Sequence, residues 1–311
     1  MGILTTVPTK QNPTRKEHIV PRLLLANFTD TDGVLWVYVK DRQVRQSVPA
    51  NECLERDFYE YEWNGRKTHN KYEKWLAGVE GNPCGVLPII TSRQQLRQQD
   101  AVVWSAFVAS LFVRTRKVRA QISDAMVRKF KQQTEQPDFI RTMQHELLQR
   151  GELCYADDLT KDVEKLRAAM DESPSFYHVS GLPRHTASLA DALMRKKWHT
   201  VDAPAGKSFL ISDCPVMTAE LQGNQVLPGA GFGKEDTAVL MPVTPQKLFV
   251  ASPHNRNWRI VAEPQAVDMV NLLAVRFSHR NVYANVSSTD VQLLVDLEMN
   301  QIIFGQNAFL P

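Results

Sequence analysis

Nothing in this chain supplies a covalent or metal staple. Its four cysteines, Cys53, Cys84, Cys154 and Cys214, lie far apart with no Cys-x-x-Cys pair. That excludes a disulfide framework and a zinc knuckle. Long apolar runs are missing too. The longest uncharged apolar stretch, Ala101 to Val113, has thirteen residues, too short for a helix across a hydrocarbon layer of about 30 Å. No basic segment followed by an apolar one opens the chain, so a secretory leader is not expected and the cytoplasm is the expected location; Gly2 and Thr6 fit only the permissive myristoylation pattern. Net charge is nearly absent: 37 Lys and Arg stand against 34 Asp and Glu, a formal +3, which excludes an obligate nucleic-acid binder. There is no GxxxxGK[ST], HExxH or GxSxG, which removes P-loop ATPases, zincins and standard α/β-hydrolases. Gly229-Ala230-Gly231-Phe232-Gly233 follows a proline and has the wrong spacing for a dinucleotide fingerprint, so it reads as a loop.

What is present is a core: 43% of the residues are apolar, enough to exclude wholesale disorder. A tail runs to about Arg15. Pro21 to Phe28 reads as a short helix, and Val34 to Val39 as a strand that a second one, Val44 to Val48, closes into a hairpin around Asp41-Arg42. Tyr72, Trp75, Leu76 and Val79 recur at helical spacing within a helix over 70–90 that Gly81, Pro83 and Gly85 interrupt. A long helix is predicted from Ser92, as its cap, to about Gln133. Helices follow over 138–150, 157–172 and 184–198. Then come β-like runs at Phe209-Leu210-Ile211, Ala238 to Met241 and Leu248 to Val250, with Val282 to Ala284 as a further strand and helices over 264–275 and 288–299. The expected class is α+β: a mostly helical first two-thirds with a hairpin near its start, then a β-rich last third with two helices. This arrangement suggests lobes over 1–200 and 201–311, or one continuous domain.

Several polar residues sit in apolar context, where a charge needs a partner or a purpose. His18 and Arg22 lie about one helical turn apart; the first titrates near neutrality and the second forks onto carboxylate or phosphate. Glu73 and Glu80 are seven residues apart, two turns of one face, with Ala77 leaving room between them for a cation or a guanidinium. Mg2+ or Mn2+ is the metal such carboxylates prefer. Arg114 emerges first from the apolar run Trp104 to Phe112 and is read as neutralising a buried acid or binding an anion. Arg116, Lys117 and Arg119 follow it, within residues 91–133, which carry nine Lys and Arg against two acids; this is either a solvated face or a phosphate-contacting one. Asp213, in Ser212-Asp213-Cys214-Pro215, stands at a strand end, a place for function or for a turn. Cys214 has no adjacent histidine to activate it.

The segment His18-Ile19-Val20-Pro21-Arg22-Leu23-Leu24-Leu25-Ala26-Asn27-Phe28, followed by Gly33-Val34-Leu35-Trp36-Val37-Tyr38, resembles the opening of the bacterial domain-of-unknown-function family 4238. Similarity continues through Glu73 and Glu80, Phe112-Val113-Arg114-Thr115-Arg116, Phe209 to Pro215, and Met241-Pro242-Val243-Thr244-Pro245, about residues 16–285 in all. Ile19 replaces the family's aromatic, and Cys214 the asparagine of its Ser-Asp-Asn-Pro. The resemblance implies a bacterial, soluble protein and no known reaction. It also implies that His18, Arg22, Glu73, Glu80, Arg114 and Asp213 belong to one pattern and meet in space.

Two readings follow. In the first, the chain is a non-catalytic module that binds nucleic acid, through 91–133, or a protein partner, and the acids and arginines form a buried network. In the second it is a metal-dependent phosphodiesterase or nuclease-like hydrolase. There Glu73, Glu80 and Asp213 hold the cation, His18 is the general acid or base, and Arg22 and Arg114 clamp phosphate. A toxin or defence setting fits either.

Overall fold

Strand β11, at the centre of the larger sheet, explains most of the layout. In the computed structural model, described over residues 16–299 except 64–65, 68–70, 82, 154, 173–175, 223–224, 229–230 and 254–259, the elements run as follows. The first 67 residues hold β1 (Lys16–His18), α1 (Arg22–Ala26), β2 (Leu35–Tyr38), β3 (Arg45–Ser47), β4 (Leu54–Arg56), β5 (Glu62–Trp63) and β6 (Arg66–Lys67). Seven helices follow: α2 (Lys71–Gly81), α3 (Pro83–Ser92), α4 (Gln98–Val113), α5 (Arg116–Thr134), α6 (Phe139–Gln149), α7 (Ala156–Glu172) and α8 (Phe176–Met194). The remainder is β7 (Lys197–Asp202), β8 (Ile211–Ser212), β9 (Met217–Gln222), β10 (Gln225–Pro228), β11 (Thr237–Thr244), β12 (Lys247–Ser252), α9 (Pro264–Phe277), β13 (Val282–Ala284) and α10 (Thr289–Glu298).

The larger sheet is antiparallel in the order β10-β9-β11-β12-β7. It is covered on both faces, and strand alternation sorts the residues. Val239, Met241 and Val243 of β11 with Phe249 of β12 join the main core with α4 and α8, whereas Ala238, Leu240, Leu248 and Val250 face Val267, Val270, Leu273 and Phe277 of α9. Trp104 of α4 stands against Phe249 edge to face, ring centres 5.6 Å apart, and Trp198 of β7 does the same at 5.4 Å. The smaller sheet, β3-β2-β13-β8, joins the start of the chain to its end. Tyr38, Val282 and Ala284 pack on Val295 of α10, and Leu35, Val37 and Tyr283 face the main core.

The class is α+β, as expected, and the β2–β3 hairpin turns through Asp41 at φ 56°. Four details differ. Pro21 precedes α1 instead of opening it. Ser92 ends α3 instead of capping a helix. The helix expected over 92–133 is two helices. Each end at their junction is satisfied separately: His178 Nε2 lies 2.6 Å from the Val113 carbonyl, and the Thr115 hydroxyl accepts the Val118 N–H at 3.3 Å. Burial pushes His178 down to about 3, so the ring is neutral and donates its N–H. Finally, Lys197–Asp202 is a strand and not a helix end, and Phe209 and Leu210 precede β8 without joining it. The tail to Arg15, Cys154 and positions 229–230 of the glycine loop lie outside the described residues.

Candidate functional site

Four of the expected residues, His18, Glu73, Glu80 and Arg114, come together, and Arg22, exposed on α1, adds only its field on His18. The Arg114 side chain is 0% exposed, and Nη1 donates to Glu80 Oε1 of α2. Tyr72 and Leu76 bury one stripe of α2 and leave Glu73 and Glu80 on its flank. Glu73 lies in the field of both Glu80 and Arg114; burial, reinforced by Glu80 and opposed by Arg114, raises its carboxyl above the usual range. The guanidinium therefore supplies the cation that the two acids call for. It arrives from the end of α4.

Strand β1 brings the rest. It pairs with β4 in the register His18↔Leu54. Burial first, then Arg22 and Arg114, lower His18 below its usual value, with Glu80 and a hydrogen bond to the Ala50 backbone opposing. His18 is thus the neutral imidazole at pH 7. Tyr59 donates its hydroxyl to the His18 carbonyl at 3.3 Å and its own N–H to Glu17 Oε2 at 2.9 Å. Among the described residues, Arg114 Nε and Nη2 and His18 Nε2 have no hydrogen-bond partner.

Glu17 escaped the sequence reading although it adjoins His18. It is 1% exposed, and burial, helped by Glu73, pushes its carboxyl up to about 7. A carboxyl raised in the folded state contributes most below its unfolded value of about 4.5; that contribution is lost as pH rises from about 4.5 to about 7. Glu17→Gln keeps an acceptor for Tyr59 and removes the titration. Urea melts at pH 5 and pH 8 are expected to show the variant more stable than wild type by about 1–2 kcal/mol at pH 8, the gap closing toward pH 5.

Asp213 belongs to a second group. Its Oδ1 accepts the His279 N–H at 2.8 Å, and its Oδ2 accepts those of Arg280 and Asn281 at 2.8 and 3.1 Å. Burial raises its carboxyl, against the pull of those three bonds. It lines a cavity of about 270 Å³ whose wall includes Arg42, Arg45, Cys53, Arg116 and Arg280. Buried Glu52 accepts both arms of Arg45 at 2.7 and 3.0 Å and the Ser47 hydroxyl at 2.6 Å. Cys53 and Tyr283 share a hydrogen bond of 3.1 Å. Burial pushes the thiols of Cys53 and Cys214 well up, so both stay protonated and neither is a ready nucleophile.

The three basic residues expected to meet phosphate are engaged inside the fold. Arg116 pairs with Glu55 of β4. Lys117 Nζ donates to the Arg276 carbonyl at 3.0 Å. Arg119 donates to the Phe58 carbonyl at 2.7 Å and lies 4.4 Å over the Phe58 ring. These contacts tie α5 to β4 and α9. Glu73 and Glu80, expected as a Mg2+ or Mn2+ pair, face a guanidinium, and among the described residues no group of three His, Cys, Asp or Glu side chains is placed to hold a metal ion. No helix of the described residues is long and apolar enough to cross a membrane.

Arg42, Arg45, Glu52 and Arg280 also went unnoticed in the sequence. Their only signal is proximity in sequence to a hairpin turn and to a strand start, which thousands of unrelated arginines share. Neither the curated proteins nor the solved structures include a match to this chain. A family model described as "Protein of unknown function (DUF4238)" matches residues 16–288, the stretch that carries β1, the Arg114 cluster and the Asp213 turn alike, and the chain belongs to that family.

Proposed function

We propose that this protein is a non-catalytic binding module for nucleic acid or its fragments, and that the cluster around Arg114 is its framework. One observation carries this reading: the charges best placed for reaction are closed to solvent, while the open space on the far side of β1 and β4 is walled by other groups. Arg114 is sealed at 0% exposure against Glu80, and a catalytic arginine must reach its substrate. The cavity of about 270 Å³ is instead walled by arginines around Asp213. The acids of that cavity are already engaged, Glu52 by Arg45, Glu55 by Arg116 and Asp213 by three backbone N–H groups. With four arginines against Glu52, Glu55 and Asp213, the cavity keeps a small positive excess, which suits a phosphate-bearing partner. Lys117 and Arg119 of α5 play no part in this reading, because they hold the fold; Arg116 reaches the cavity wall already paired with Glu55.

Fluorescence anisotropy with short labelled DNA and RNA, run beside a cleavage assay with Mg2+ and Mn2+, tests the reading. Binding that weakens with salt and no cleavage is the expected result. Arg42→Ala/Arg280→Ala is expected to abolish binding, while Arg128→Ala/Lys129→Ala, on the exposed end of α5, leaves it unchanged. Cleavage that Glu73→Gln removes would overturn the proposal in favour of a hydrolase.

A further inference from the structure

We infer that a second cavity, between the end of α3 and strands β7 and β12, binds a small monocarboxylate whose apolar part is a single ring or a short acyl chain. It is separate from the Asp213 cleft and needs nothing from the binding reading above.

The walls set the apolar half of the ligand. The cavity holds about 270 Å³, and Ile89, Leu96, Trp198, Phe249 and Ile260 line it. The Trp198 and Phe249 rings stand edge to face, 5.4 Å between centres, and stiffen each other. Beside them α3 is fastened to the sheet, because the Thr200 hydroxyl donates to the Ile90 carbonyl at 2.8 Å. A cavity of this size takes one ring or a chain of a few carbons; sites for larger ligands run to about 300–1,000 Å³. Water gains few hydrogen bonds from such walls, so an apolar group displaces it favourably.

Arg93 sets the polar half. No acid lines this cavity among the described residues, and Arg93 brings a formal cation to it. Its Nε donates to the Thr200 carbonyl and its Nη2 to the Ile260 carbonyl, both at 3.2 Å, and Nη2 pairs with Asp202 at 2.6 Å. These contacts fix the guanidinium and leave Nη1 without a hydrogen-bond partner among the described residues. Asp202 does not cancel the charge, because it also takes Lys247 Nζ at 2.8 Å. Two cations thus share one carboxylate. The remaining positive charge calls for a single negative one, which a carboxylate supplies and an amine does not.

The backbone agrees. Arg93 adopts φ 57° just past the end of α3, where the Gln94 N–H bonds back to the Ile89 carbonyl at 3.1 Å. That left-handed position at a helix end favours glycine and strains any other residue. An arginine stands there all the same, and from it the guanidinium reaches both the edge of β7 and the cavity.

The test is ligand-observed fluorine NMR on the full chain with para-fluorophenylacetate, beside the matching alcohol and amine. The acid is expected to bind at least about tenfold more tightly than the alcohol, and the amine not at all. Arg93→Gly suits the left-handed backbone and is expected to bring the acid down to the level of the alcohol, with a cooperative melting transition showing that it folds. Leu96→Trp is expected to fill the cavity and remove both. Arg42→Ala/Arg280→Ala, in the Asp213 cleft, is expected to bind the acid as wild type does. Equal binding of acid and alcohol by the wild type overturns the carboxylate assignment. Binding of the acid that survives Leu96→Trp, or binding of none of the probes, overturns the site.

Discussion

Glu80→Gln is expected to lower stability by about 3 kcal/mol, a fall of about 4–5 °C in the melting midpoint. The pair is asymmetric. Arg114 is 0% exposed and Glu80 28% exposed. Removing the acid's charge strands a cation that has no route to water, and its Nε and Nη2 already lack partners among the described residues. Removing the cation instead leaves a carboxylate that still reaches solvent. Arg114→Met is therefore expected to cost less than Glu80→Gln, and Glu80→Leu/Arg114→Met to cost less than the sum of its single changes, because well-packed apolar side chains commonly replace a buried ion pair without loss. Thermal melts of the four variants check this. Equal losses from the two single changes would mean that the pair is not held as the structure places it.

Asp213→Ala is the other large expectation. The carboxylate accepts three backbone N–H groups, and hydrogen bonds to a charged acceptor are worth about 1.5–3 kcal/mol each. The His279 and Arg280 ends of the turn are exposed, so water recovers part of that. A net loss of about 2–4 kcal/mol is expected. Asp213→Asn keeps one acceptor oxygen and is expected to lose about half as much. Both changes loosen the turn that presents Arg280, so affinity in the cleft is expected to fall more than stability explains. Urea melts combined with anisotropy titrations separate the two effects.

These two results would also account for what the sequence made legible. The helical stripe of Tyr72 and Leu76 and the continuous apolar run within β11 are strong signals, and the elements stand where they point. Charges inside apolar runs were equally readable, since burying them needs a partner; His18, Glu73, Glu80 and Arg114 lie in one another's field, while Arg22 stays exposed beside them. Asp213 was grouped with them because a shared pattern does not reveal how many places in space it serves. Its partners are backbone groups of residues 279–281, which leave no mark on side-chain identity. The polar strand Lys197–Asp202 was unreadable for a related reason: at the edge of its sheet, paired with β12, it carries charged and polar side chains, and only Trp198 and Val201 mark its two packed faces. Likewise, the break between α4 and α5 depends on His178, which comes 65 residues after the Val113 carbonyl it satisfies.

The division of labour between the Arg114 framework and the Asp213 cleft is tested most directly by one comparison: the dissociation constant for short labelled DNA in Glu73→Gln and in Arg280→Ala, each beside wild type. Glu73→Gln is expected to stay within about twofold and Arg280→Ala to weaken binding about tenfold or more. Strong loss in Glu73→Gln, with Arg280→Ala left at wild-type affinity, would contradict the account and return the site to the cluster around Arg114.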